Sequence, residues 1–108
     1  MFLSGIDIGG TSIKFGIFDE QLNLLQQWSR PTPKEPAEAA ALIAAQLEPY
    51  HVAAIGGGAP GTLNAARETI TADNLAWVDV PLAALLRRAS GLPAVVINDG
   101  HAAMLAEM

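Results

Sequence analysis

No cysteine occurs in the 108 residues of this chain, which removes disulfides, thiolate nucleophiles and cysteine-held zinc from any account of it. A cytoplasmic protein is the expectation. Basic residues are scarce, six against eleven acidic ones for a formal charge of −5, the wrong sign for a generic nucleic-acid or anionic-membrane surface. Any phosphate the chain holds must be held locally, and neither nucleic acid nor membrane is expected as a partner. Long apolar runs are missing too: the first, Phe2 to Ile6, has no basic residues before it and breaks at Asp7, too short for a signal segment or a membrane span. No glycine run is followed by Gly-Lys-Ser or Gly-Lys-Thr, so a Walker phosphate loop is excluded.

What is present organises around Asp7-Ile8-Gly9-Gly10-Thr11, set between apolar runs at Phe2 to Ile6 and Ile13 to Phe18. Adjacent glycines allow a sharp turn and let a ligand approach the main-chain N–H groups. An anionic phosphate suits that space. Asp7 ends the first strand with a carboxylate able to organise a divalent cation, and Thr11 adds a hydroxyl. The same five residues also make a plain hairpin turn, so the remainder of the chain has to decide between the two readings.

With 51% hydrophobic residues, the chain supports one compact domain and is too short for two. Ile13, Phe15 and Ile17 alternate with Lys14 and Gly16, as in a half-buried strand paired with the first. Leu24 to Arg30 reads as a third antiparallel strand, at an edge because Gln26 and Gln27 are polar. A helix is expected from Pro36 to Leu47, ended by Pro49. Val52 to Ile55 reads as a buried parallel strand entering a second glycine loop, Gly56 to Gly61. Residues 62 to 80 look irregular, with a short strand at Glu68 to Thr71. Pro81 opens a helix with Leu82, Leu85 and Leu86 on one face, stopped by Gly91. Ala94 to Ile97 is another buried strand, and His101 to Met108 reads as a helix with no stop signal, so a longer natural protein is expected.

The order β-β-β-α-β-α-β-α implies an α/β fold with a five-stranded mixed sheet. In that sheet the first, fourth and fifth strands run parallel. Asp7 to Thr11, Gly56 to Gly61 and Asn98-Asp99 then emerge together at the carboxyl edge, where open α/β sheets bind ligands. Gly56-x-Gly58-x-x-Gly61, with Asp79 downstream, also matches the dinucleotide fingerprint. That reading fails on position: the fingerprint opens a helix after the first strand, whereas here Pro60 interrupts the loop and no helical period follows.

These motifs together resemble the N-terminal lobe of a bacterial sugar kinase of the ROK family, within the ribonuclease H-like, actin and hexokinase ATPase fold group. Gly5 to Thr11 is similar to the family's first phosphate motif, Gly58-Ala59-Pro60-Gly61 to its sugar-side loop, Asn74-Leu75-x-Trp77 with Pro81-Leu82 to its middle segment, and Gly91-Leu92-Pro93 through Asn98-Asp99 to its catalytic strand and turn. The likeness runs the length of the chain, residues 1 to 108 forming one lobe and the second lobe lying outside it. It implies transfer of the ATP γ-phosphoryl group to a hydroxyl of a hexose or N-acylhexosamine. Asp99 would be the general base, worth about 10² to 10⁴ in rate. Asn98 and Asn74, with the Gly58 to Gly61 loop, would place the sugar; Asp7 would organise Mg²⁺; Gly9, Gly10 and Thr11 would line the phosphates.

Alternatives stay open at several of these positions. Lys14 either reaches a phosphate or is a solvated strand residue; Trp77 is either core or a platform under a sugar ring; Asn74 either contacts sugar or merely turns the loop. Asp99 can also cap the last helix, and His101 is read as packed or solvated in preference to catalytic. Asn64, Gly100 and His101 depart from the family's usual Asp, Ala and small polar residue. A sugar-responsive ROK regulator and a non-catalytic sugar-binding module are the competing functions. A homodimer is expected, because a lobe without its partner lobe leaves surface uncovered, and the 108 residues alone are expected to be inactive.

Overall fold

The computed structural model describes residues 1–59, 61–64 and 66–98. Its strands are β1 (Leu3–Ile8), β2 (Ser12–Phe18), β3 (Leu24–Pro31), β4 (Ile55–Ala59), β5 (Thr62–Asn64), β6 (Thr69–Ala72), β7 (Trp77–Val80) and β8 (Ala94–Asn98). The α-helices are α1 (Pro36–Leu47) and α2 (Leu82–Ser90), and short 3₁₀ turns lie at Glu48–Tyr50 and Asp73–Leu75. One five-stranded sheet runs β3-β2-β1-β4-β8 and a second, three-stranded sheet runs β5-β6-β7. In the large sheet β1/β2 and β2/β3 pair antiparallel, while β1/β4 and β4/β8 pair parallel. This is the mixed α/β sheet that the strand pattern implied.

Side-chain alternation decides which face is covered. Ile6 and Ile8 of β1, Ile13, Phe15 and Ile17 of β2, Ile55 and Ala59 of β4, and Ala94 and Val96 of β8 are all buried. They form one cluster with Ala39, Ala40, Ile43 and Leu47 of α1 and with Leu82, Ala83 and Leu86 of α2. Trp28 of β3 extends it: its ring stacks on Phe15 at 5.1 Å and on Tyr50 at 5.2 Å, and its Nε1 donates to Gln46 Oε1 of α1 at 2.9 Å. That bond satisfies the one polar atom an indole would otherwise leave stranded. α2 ends where Gly91 takes a left-handed φ of 74° and donates its N–H to the Arg87 carbonyl, as a glycine-terminated helix should.

Three expectations need correction. The glycines after Ile55 are not a loop: Gly56, Gly57 and Gly58 belong to β4, and Val52 to Ala54 lead into it. Packing overrides the low strand preference of glycine here. Gly57 faces the core between Ile6 and Val96, and a Cβ on it would lie 3.1 Å from Ile6 Cγ1. Residues 62 to 80 are not irregular but contribute the second sheet, whose strands of three or four residues and shifted β6/β7 register leave no readable period. β8 is buried on one face only, since Val95 is 62% exposed. α1 ends at Leu47 as expected: Glu48 donates the last helical bond to the Ala44 carbonyl, and Pro49, in the 3₁₀ turn that follows, has no N–H to give the next. The helix expected over residues 101 to 108 lies outside the described residues.

Two glycines carry testable consequences. Gly57→Val should lower unfolding free energy by about 1–3 kcal/mol through overpacking against Ile6, read as a lower denaturant midpoint at unchanged slope. Gly61 has a φ of 89°, and a Cβ there would overlap the Thr71 carbonyl and lie 2.9 Å from Ala72 Cα. Gly61→Ala should therefore cost more than roughly 1 kcal/mol; thermal unfolding identical to the parent would show that the β5/β6 backbone yields freely.

Candidate active site

Parallel pairing gathers the candidate residues. Asp7 of β1 lies opposite Gly58 of β4, and Ala59 of β4 lies opposite Asn98 of β8, so the carboxyl ends of three adjacent strands share one edge. Asp7 is exposed at the end of β1, because it points away from the face that buries Ile6 and Ile8. Lys14 is its antiparallel partner on β2 and is likewise exposed. The two side chains do not close to ion-pair distance, and Lys14 stands exposed beside Asp7 at this edge.

The turn joining β1 to β2 is tight. Gly9 N–H donates to the Ser12 carbonyl at 2.8 Å, and a Cβ on Gly9 would lie 3.0 Å from that same oxygen. Gly10 and Thr11 are exposed, and their N–H groups have no protein partner among the described residues. Such a pair of outward N–H groups on a glycine turn favours an anion. A Cβ on Gly10 would lie 2.9 Å from Asn74 Nδ2, so the 3₁₀ turn carrying Asn74 sits directly against the glycine turn.

Thr32 is a residue that the sequence reading missed. Its N–H donates to the Thr11 carbonyl at 3.0 Å and its Oγ1 donates to the Gly9 carbonyl at 2.8 Å. The signal was Pro31-Thr32-Pro33: two prolines lack N–H groups, leaving Thr32 as the one main-chain donor of the triplet. Trp77 is 2% exposed and its Nε1 donates to the Lys34 carbonyl at 2.9 Å, so it is a core residue and no sugar platform.

The other sequence-derived candidates differ in placement. Gly58 and Ala59 are buried at the end of β4, in the strand rather than in a loop, and Gly61 is exposed at the turn into β5. Asn98 is the last residue of β8. Pro60, Asp99, Gly100 and His101 lie outside the described residues. Asn64 accepts the Arg67 N–H on its Oδ1 at 3.2 Å, closing its own loop. Asp79, the acidic residue of the dinucleotide fingerprint, is tied into the small sheet: its N–H donates to Thr71 Oγ1 at 3.0 Å and its Oδ1 accepts from Thr69 Oγ1 at 3.3 Å. It is not placed to receive a ribose.

Among the described residues no three His, Cys, Asp or Glu side chains converge on a metal position. Of the described residues at that edge, Asp7 offers a carboxylate to a cation. One carboxylate suits Mg²⁺, which usually keeps several waters and takes its other ligands from phosphate oxygens.

Comparison with known proteins sharpens this picture. The ROK family model matches residues 3–108. A glucokinase of Streptomyces coelicolor is 39% identical over 108 residues, covering 95% of this chain and 34% of the relative. An N-acetylmannosamine kinase of Yersinia pestis is 35% identical over 107 residues, covering 94% and 37%. The chain thus spans about a third of the length of the curated relatives it matches. A crystal structure of a ROK family glucokinase from Streptomyces griseus, in complex with glucose and AMPPNP, superimposes with a TM-score of 0.80 at 35% identity over 92% of this chain and 33% of that one. A ROK family transcriptional regulator superimposes with a TM-score of 0.83 at 19% identity, over 98% and 30%, a likeness of fold alone. The sheet order, the glycine turn at the end of β1 and the family match over nearly every residue agree: this chain belongs to the ROK family and has the fold of its actin-like ATPase domains.

Proposed function

We propose that residues 1–108 are the N-terminal lobe of an ATP-dependent sugar kinase, which moves the γ-phosphoryl group of ATP to a hydroxyl of a hexose or N-acylhexosamine. The observation that carries the proposal is the shared edge: Asp7 and the free N–H groups of Gly10 and Thr11 stand beside the ends of β4 and β8. The kinase names of the relatives support the reaction class, and the glucose and AMPPNP held by the Streptomyces griseus protein support the two substrates.

In this reading the glycine turn receives the ATP phosphates. Gly9 contributes tight closure rather than a donor, since its N–H is already given to Ser12, and Gly10 and Thr11 supply the donors. Asp7 would hold Mg²⁺, directly or through water, and the ion would neutralise phosphate charge. The sugar would lie toward Gly61, Asn74 and Asn98, with Gly58 and Ala59 forming the floor beneath it. Asp99 follows Asn98 directly in the chain; it would accept the proton of the acceptor hydroxyl as the oxygen bonds to phosphorus and ADP leaves. Because the transition state of phosphoryl transfer is loose, placement and charge neutralisation supply most of the rate. The second lobe would close the opposite side of the site, so the 108 residues alone are inactive in this proposal. Self-association into a dimer belongs to it as well, supported by apolar surface such as Val95, 62% exposed on the sheet face away from the helices. A cytoplasmic site of action belongs to the proposal; no helix among the described residues is long and apolar enough to cross a membrane.

The test is coupled ATP turnover of the full-length gene product against hexoses and N-acylhexosamines. Asp99→Asn should lower kcat by at least ~100-fold. Asp7→Asn should weaken the apparent Mg²⁺ affinity by roughly tenfold or more, seen in a Mg²⁺ titration of the same assay. A parent protein that binds sugar yet turns over no ATP would overturn the kinase reading in favour of a sugar-responsive regulator or binding module.

A further inference from the structure

Beyond the residues assigned to substrates, the glycine turn depends on a part of the chain that touches neither. β3 ends its ladder with Pro31 opposite Ser12, and the next residue, Thr32, leaves the sheet to bond both shoulders of the turn. Its Oγ1 reaches the Gly9 carbonyl and its N–H reaches the Thr11 carbonyl. The consequence follows from peptide geometry. The carbonyl of Gly9 and the N–H of Gly10 belong to one planar trans unit and point in opposite directions. Holding that carbonyl toward Thr32 therefore aims the Gly10 N–H away from Thr32, outward from the turn. The Thr11 N–H belongs to the next peptide, which lies between two pinned carbonyls. Neither glycine has a side chain to resist rotation, so without such pins the two peptides would flip readily.

The segment bearing Thr32 is itself anchored. Two residues on, the Lys34 carbonyl accepts the indole N–H of buried Trp77, and Asn74, in the 3₁₀ turn between β6 and β7, lies against Gly10. The turn is braced by the β3–α1 connection on one side and by the second sheet on the other.

We propose that Thr32 is a positioning residue for the phosphate turn, which presets the Gly10 and Thr11 N–H groups for the phosphates of the bound nucleotide. The inference rests on the reading that this turn takes nucleotide phosphate, and it does not require that any particular sugar be phosphorylated.

Thr32→Val, Thr32→Ala and Thr32→Ser in the full-length gene product test it, with Mg·ADP binding measured by calorimetry and amide hydrogen exchange followed at residues 8–13 and in α2. Valine keeps the main-chain N–H and removes only the Oγ1 bond; alanine does so without a new methyl group to fit. Both should weaken Mg·ADP binding by about 3- to 10-fold, the worth of one such hydrogen bond, and speed exchange of the Gly9 N–H, which is bonded to the Ser12 carbonyl across the turn, while α2 keeps its protection. Serine should restore both readings to those of the parent. Unchanged Mg·ADP binding in valine and alanine variants overturns the proposal, as does weakened binding accompanied by equal loss of protection in α2, which would mark a general structural role. A parent that binds Mg·ADP but phosphorylates no sugar removes the kinase reading and leaves Thr32 to be judged by its variants. A parent that binds no Mg·ADP overturns both.

Discussion

The parallel pairing of β1 with β4 is the contact on which the site depends. It sets Asp7 level with Gly58 and, through β4, brings the end of β8 to the same edge. Close lateral approach is possible because Gly57 presents no side chain to Ile6 and Val96 on the flanking strands. The result is a central strand that is poor in strand-forming residues yet held on both sides by Ile- and Val-bearing neighbours. Ordinary propensity gives way there to packing.

The small sheet is more than an insertion between β4 and α2. Its Ile70, Ala72, Trp77 and Val80 join the main core, and the Trp77 indole holds the chain beyond β3. Asn74 is thereby brought against Gly10. In the proposed kinase this joins the sugar side to the phosphate side within one rigid lobe, where in-line transfer demands that donor and acceptor be held in fixed relation. The bonds that do so are few and neutral, and the charged groups nearby, Asp7 and Lys14, remain exposed and free to meet ligands.

Family membership and fold rest on a match across residues 3–108, but the chain spans only about a third of its curated relatives. An open edge is what one lobe of a two-lobed enzyme would present. In the proposed kinase the described residues would supply N–H donors for phosphate, at Gly10 and Thr11, and the Asp7 carboxylate for a cation. In the proposed kinase, choice among sugars would turn on single hydroxyl contacts, shared between this lobe and a second one.

Much of this was legible in the chain itself. Alternation at Ile13, Phe15 and Ile17, polar Gln26 and Gln27 on the edge strand, Pro36 at the start of α1 and Gly91 after α2 are local signals, and each reports an element because short-range sterics and burial period act within a few residues. Asp7-Ile8-Gly9-Gly10-Thr11 announced the tight β1–β2 turn for the same reason. What stayed hidden was long-range. Gly56 to Gly58 read as a loop because nothing local says that Ile6 and Val96 will hold them as a strand. The β5, β6 and β7 strands were too short to show a period. Thr32 looked like punctuation between prolines because its partners, Gly9 and Thr11, lie 23 and 21 residues earlier in the chain. The sequence by itself determined β1 to β3, both helices, the glycine turn and the family; only the tertiary structure decided that Gly56 to Gly58 form a strand and which distant groups brace that turn, since a hydrogen bond across the fold leaves no periodic trace in the residues that make it.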